Sequence, residues 1–171
     1  MLKYKVMDLL LAAKSGEVNV IAQQCNCFNA RKRGIAPLLD KAFPEVAIAD
    51  DSTIKGDPKK FGDFSYAHSP LYNLSIYNLY GRWGWWKRED GKPNTDLDKL
   101  ESSFKAMSKQ LMLFENQDLK IGLPKLGAGL GGAEWSSVED IIKKTLCEAG
   151  YNVTIYVLDE AEIPENATVI K

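Results

Sequence analysis

Histidine is nearly missing from this chain: His68 is the single copy in 171 residues. That scarcity excludes an imidazole-built metal centre and a nucleophile–histidine pair at any readable spacing. His68 ends a predicted strand, and a structural or surface role is expected for it. Cysteine is sparse and odd in number, with Cys25, Cys27 and Cys147. This argues against a disulfide scaffold or a disulfide-linked partner, and for a reducing, cytoplasmic setting. Cys25 and Cys27 stand one residue apart, a spacing that seldom serves structural zinc, so the thiols are expected to pack as small hydrophobes and no metal is expected. Net charge is also close to absent: 22 basic against 23 acidic residues leave −1. No overall field draws the chain to nucleic acid or a membrane surface, and any anion site must be local. Leu9 to Ala13 falls well short of the roughly 18 apolar residues that a bilayer span needs, and charged residues interrupt any signal-peptide pattern at the N-terminus.

What is present is an alternation of strand and helix patterns over one domain, residues 1–171, with a core over about 2–159 and a C-terminal extension from 160. Leu2 to Val6 and Asn19 to Gln24 read as strands around a turn at Ser15-Gly16. Gly34 to Phe43 has helical spacing with Pro44 as its stop, and Asp50 to Gly62 reads as a loop. Asp63 to Ala67 and Leu74 to Leu79 read as a strand pair. From Leu97 to Phe114 apolar residues recur at three- and four-residue spacing, with Thr95 and Asp98 as a capping box at the helix start. Leu119 to Leu123 is a strand, Glu134 to Ala149 a helix with Gly150 as its C-cap, and Asn152 to Leu158 a strand. Ile163 to Lys171 fits either a tail or an added edge strand. A central sheet with helices on both faces follows, and ligands in such folds settle at the carboxyl ends of strands.

Two strand-to-helix loops carry the chemistry. Gly122-Leu123-Pro124-Lys125-Leu126-Gly127-Ala128-Gly129-Leu130-Gly131-Gly132 places four glycines in six residues, which frees the backbone for positive φ and brings amides close to a ligand. Feeding a helix start, such a loop is a natural phosphate seat. It satisfies G-x-G-x-x-G formally, but too little chain follows for a dinucleotide fold, and no Gly-Lys-Ser/Thr follows for a Walker loop. No cofactor is implied. In the other loop, Gln23 to Ala36, Asn26 and Asn29 tolerate left-handed geometry and offer side-chain amides. Arg31, Lys32 and Arg33 could meet phosphate or form a solvated basic turn. Tyr77, Tyr80, Trp83, Trp85 and Trp86 form an aromatic cluster that reads either as a packed lid or as a stacking surface.

Taken together the loops resemble the macro domain family, whose members bind ADP-ribose. Asn26 followed by Gly34-Ile35-Ala36 looks like the family's ribose loop. Leu126 to Gly132 followed by Trp135 looks like its phosphate loop, and Val6-Met7-Asp8-Leu9-Leu10 looks like its early segment, in which an Asp reads adenine. The resemblance implies a three-layer α/β/α fold with a mixed central sheet. It implies ADP-ribose contacts from Asp8, Leu9, Gln24, Asn26, Gly34, Ile35, Ala36 and Leu126, Gly127, Ala128, Gly129, Leu130 and Gly131. Gln24-Cys25-Asn26-Cys27 and the glycine loop look closest to the ADP-ribose-1″-phosphate phosphatases, with Asn26 and Arg82 as the catalytic candidates. Where that branch carries a histidine, two residues before the first Cys of Cys-Asn-Cys, this chain has Gln23, which cannot move protons as a base near neutral pH. A related branch removes ADP-ribose from protein or DNA with a lysine; at that place this chain offers Gly81-Arg82, and arginine cannot serve as a nucleophilic amine. The implied partner is a small molecule, ADP-ribose or ADP-ribose-1″-phosphate. The competing readings are an ADP-ribosyl hydrolase and a non-catalytic reader.

Overall fold

Alternation of side chains along the strands sets two buried faces. In β2 (Val20–Asn26), Val20 and Ala22 point to one side and Ile21 to the other; in β4 (Leu74–Arg82), Tyr77 and Leu79 oppose Leu74 and Ile76. β2 is buried on both faces: Val20, Ile21 and Ala22 fill the core, and the polar Gln23 and Asn26 are buried beyond them. The computed structural model, which describes residues 1–114 and 116–171, arranges these with β1 (Leu2–Val6), β3 (Phe64–Ser69), β5 (Lys120–Leu123), β6 (Asn152–Val157) and β7 (Val169–Ile170) into a seven-stranded sheet. Its order is β3-β4-β2-β5-β6-β1-β7. Among the paired strands of the described residues only β3–β4 is antiparallel, with Phe64 opposite Leu79 and Ser69 opposite Leu74.

Helices cover both faces, completing the three-layer α/β/α architecture. On one side α4 (Leu97–Leu111) and α5 (Trp135–Ile142) bury Leu100, Phe104, Met107, Val138 and Ile142 against Val20, Ala22, Ile121 and Val153. On the other, α1 (Leu9–Ser15), α2 (Ala36–Ala42) and α3 (Glu45–Asp51) bury Leu9, Ala12, Leu39 and Val46 with Ile21 and Ile76. At ~1.5–3 kcal/mol for each fully buried large apolar side chain, these two layers supply the main driving force for the fold.

The structure departs from the sequence reading in four places. The turn expected at Ser15-Gly16 is the end of helix α1, which Asp8 opens by accepting from Leu10 N at 2.9 Å and Gly16 closes at φ +80°. Pro44 ends α2 but also heads α3, so helix runs into the stretch expected as loop. The cap of α4 is Asp96, which accepts from Lys99 N at 3.0 Å; the Thr95 hydroxyl points inward instead. Beyond Ile142 the last turn widens into a π-helical segment, Lys143–Cys147, before Gly150. The C-terminal ambiguity resolves as an edge strand, β7 lying parallel to β1.

Candidate functional site

Five parallel strands deliver Val6, Asn26, Arg82, Leu123 and Val157 to one edge of the sheet. The loops that leave this edge include both segments singled out from the sequence. They meet: a methyl group placed on Gly34 would stand 3.5 Å from Leu130 Cδ1. Asn26 and Arg82 are register partners across β2 and β4.

The glycine loop is held from below by a buried polar relay. Gln24 Nε2 donates to Thr95 Oγ1 at 2.8 Å, and that hydroxyl donates to Gly127 O at 2.8 Å. Thr95 N donates to Gly131 O at 3.0 Å, and Asp96 N to Gly81 O at 2.8 Å. Gly127 takes φ +80°, which a side chain resists. Gly131 is dictated by space: a Cβ there would overlap Thr95 Oγ1 and stand 2.6 Å from Gly127 O. Above this support the N–H groups of Gly127, Ala128, Gly129, Leu130 and Gly131 donate to no protein acceptor among the described residues. Five successive unpaired amides ahead of α5 form a concentration of donors suited to an anion.

Asn26 braces its own loop. Its Oδ1 accepts from Phe28 N at 2.9 Å and Ala30 N at 3.3 Å, while Nδ2 donates to Ala30 O at 2.9 Å, leaving one Nδ2 hydrogen for another partner. Arg82 is also a brace. Its Nε donates to Gly84 O at 3.0 Å and its Nη2 to Trp85 O at 3.3 Å. Burial, joined by the positive charge of Arg33, lowers the pKa of the Arg82 guanidinium from its usual value. Neither arginine has a carboxylate partner among the described residues.

Arg31, which from sequence could either meet phosphate or form part of a solvated basic turn, does neither. It reaches Asp50 at 2.5 Å, Asp40 at 3.0 Å and Asp51 at 3.0 Å. Burial works to lower its pKa, but the hydrogen bonds to these three carboxylates outweigh it and raise the value. Asp50 is fully buried and also accepts from Tyr80 Oη at 2.6 Å, so Arg31 neutralises an interior charge rather than facing a ligand. Lys60 and Asn29 close the same network, the lysine donating to Asn29 Oδ1 and to Thr53 Oγ1 at 2.8 Å.

Among the other expected site residues, Asp8 is exposed at the same sheet edge, with one carboxylate oxygen capping α1. Leu9 and Leu126 are core side chains, so only their backbones remain to touch a ligand. Gly34 takes φ +66°, and Gly34 and Ile35 carry N–H groups without protein acceptors among the described residues. Ile35 packs against the α1–α3 layer, and Ala36 opens α2. Burial pushes the Cys25 thiol well above its ordinary range, and burial lifts Cys27 to about 11, so neither is a ready thiolate. His68 is exposed near the start of β4, away from the loops. Thr95 was missed as a site residue because its partners, Gln24 and Gly127, are 71 and 32 residues distant. A threonine beside a helix start reads locally as a cap.

No protein-family model matches the chain. An uncharacterized 17.5 kDa protein of the tk-vs intergenic region of Enterobacteria phage T4 is 31% identical over 137 residues, covering 77% of this chain and 83% of the phage protein. Among solved structures, a protein of unknown function from Bacteroides thetaiotaomicron matches with a TM-score of 0.80 at 23% identity, over 91% of this chain and 97% of that one. The macrodomain of Thermus aquaticus DarG matches at 0.70 and 24% identity, over 92% and 98%. Thermosipho africanus DarTG in complex with ADP-ribose matches at 0.72 and 21% identity, over 92% of this chain and 42% of that protein. With the strand order and the paired edge loops described above, these similarities place the chain in one family with the phage T4 protein and give it the macrodomain fold.

Proposed function

We propose that this protein binds ADP-ribose in the cleft between the Asn26–Ala36 loop and the glycine loop, and acts on the group carried by C1″ of its distal ribose. The observation that carries this reading is the row of five unpaired amides from Gly127 to Gly131, fixed by Thr95 and lying against the neighbouring loop at Gly34. These amides, with those of Gly34 and Ile35, take the diphosphate. The free carboxylate oxygen of Asp8 takes the adenine amino group, and the remaining Nδ2 hydrogen of Asn26 takes a distal ribose hydroxyl. The fold supports the same reading, since a structure similar to this one, Thermosipho africanus DarTG, is complexed with ADP-ribose.

The reaction we favour is hydrolysis of ADP-ribose-1″-phosphate. Arg82, the register partner of Asn26, has no carboxylate partner among the described residues and feels the like charge of Arg33, which a terminal phosphate would relieve. Water adds to phosphorus, the bond from phosphorus to the C1″ oxygen breaks, and ADP-ribose and inorganic phosphate leave. The fixed charges stabilise the transferred group. Gln23 is buried against Asn78 and supplies no base, so electrostatic stabilisation rather than proton abstraction carries the rate. A second reading, removal of ADP-ribose from protein or DNA, is favoured by the exposed Trp85 and Trp86 one loop away. Phosphate release from ADP-ribose-1″-phosphate supports the first reaction. Free ADP-ribose released from a modified macromolecule supports the second, and binding without either product makes the protein a reader.

A further inference from the structure

A pocket of about 300 Å³ opens beside Arg82, walled by Phe61, Trp83 and Trp86, with Asn94, Asp96 and Arg88 at its polar edge. Its volume sits at the lower limit of small-molecule sites, roughly 300–1,000 Å³, and suits one ring with a substituent rather than a whole dinucleotide. The walls are set by the protein alone. Asn94 Nδ2 donates to Gly84 O at 3.2 Å and to Trp86 O at 2.5 Å, while Arg82 holds Gly84 O and Trp85 O. Three successive loop carbonyls are thus tied down. Phe28 backs the walls edge-on, 5.1 Å from Trp83 and 5.0 Å from Trp86. Gly84 lets the Trp86 ring lie against the backbone, since a Cβ there would stand 2.6 Å from that ring.

We infer that this pocket receives a flat heteroaromatic ring attached to C1″ of ADP-ribose. The inference rests on the placement of the distal ribose at Asn26. Continuity supports it: Trp83 follows Arg82, the register partner of Asn26, and Cys27 N donates to Trp83 O at 2.8 Å. The pocket wall at Trp83 therefore adjoins the strand ends that would hold the distal ribose. Its chemistry fits a ring better than a phosphate. Aromatic faces stack on any π system. Asn94 Oδ1 and the Asp96 oxygen that does not cap α4 accept no protein hydrogen bond among the described residues, so they can receive the N–H groups of a ring amide or amine. Arg88 is turned to Asp90 and Pro93 O. Phosphate would find two acceptors, three aromatic faces and an arginine already paired with Asp90 here.

NAD⁺, which is ADP-ribose bearing a pyridinium carboxamide on C1″, is the probe. Calorimetry compares ADP-ribose and NAD⁺ on the intact chain, on Trp86→Ala and on Trp86→Phe. NAD⁺ is expected to bind at least as tightly as ADP-ribose. Trp86→Ala should weaken NAD⁺ about tenfold, within the range of one aromatic stacking partner, and leave ADP-ribose within about twofold, while Trp86→Phe recovers NAD⁺ binding. ADP-ribose binding normally while NAD⁺ binds about tenfold weaker, or ignores both substitutions, would overturn the pocket assignment alone. Absence of binding by either nucleotide would overturn the cleft reading together with it.

Discussion

Replacing Thr95 with valine removes one hydroxyl and little volume, and the structure says what that hydroxyl does. It accepts from Gln24 Nε2 and donates to Gly127 O, both at 2.8 Å, at a residue that is 5% exposed. Gln24 Oε1 already lacks a partner, so the variant leaves the whole Gln24 amide without one, while Gly127 O keeps only Ala133 N at 3.0 Å. A buried group orphaned in this way costs about 1–3 kcal/mol, a sizeable share of a total stability of about 5–15 kcal/mol. At the lower end the melting temperature falls by about 2–4 °C for a chain of this length. Binding suffers separately, because the amides from Gly127 to Gly131 lose the support that aligns them. ADP-ribose affinity should drop about tenfold or more, equivalent to about 1.4 kcal/mol. Thr95→Ser keeps both hydrogen bonds and should restore most of the affinity. Differential scanning fluorimetry and calorimetry read the two effects apart. A Thr95→Val protein that melts lower yet binds ADP-ribose within about twofold of the parent would refute the alignment argument and leave Thr95 a structural residue.

Other substitutions test the same frame. Gly131→Ala places a Cβ against Thr95 Oγ1 and 2.6 Å from Gly127 O; overpacking of this kind costs about 1–3 kcal/mol, and ADP-ribose binding measured by calorimetry should fall with stability. Arg31→Met leaves Asp50 buried with Tyr80 as its remaining partner. Breaking a buried pair from one side costs about 3–5 kcal/mol, so fluorimetry should show a melting temperature lower by roughly 6–12 °C or more. Alkaline pH destabilises the fold. Burial raises Cys27 from an ordinary value of 9.0 to about 11, and burial raises Cys25, Tyr4, Tyr77 and Tyr80 as well. Between those values the unfolded chain has released protons that the folded chain retains, so stability falls as pH rises through the window. Denaturant midpoints should decline from pH 9 to pH 11, and an unchanged midpoint would refute the assigned burial.

The sheet was legible because its strands announce themselves locally. Val153, Ile155 and Val157 alternate in β6, and the apolar stripe of α4 recurs at helical spacing. Helix α1 was not, since Leu9-Leu10-Leu11-Ala12-Ala13 is apolar without a polar face to give a period. Pro44 signalled an end and concealed a beginning, because proline suits the head of one helix as well as the stop of another. The glycine loop could be read as an anion seat from its own residues. Its fixation could not, because Thr95 acts across 71 residues to Gln24. For the same reason Arg31 looked available for phosphate: its acidic partners Asp40, Asp50 and Asp51 come together only when α2 and α3 fold back on the loop. Residues whose role is set by neighbours in sequence were visible, and those whose role is set by partners in space were not.

The claim that the two edge loops clasp a sugar nucleotide is tested most directly by titrating the intact chain with ADP-ribose in a calorimeter. The account predicts saturable heat with one site per chain and a dissociation constant in the micromolar range or tighter, about 8 kcal/mol of binding free energy. A flat thermogram at millimolar nucleotide, from protein shown to be folded by its melting transition, would contradict it.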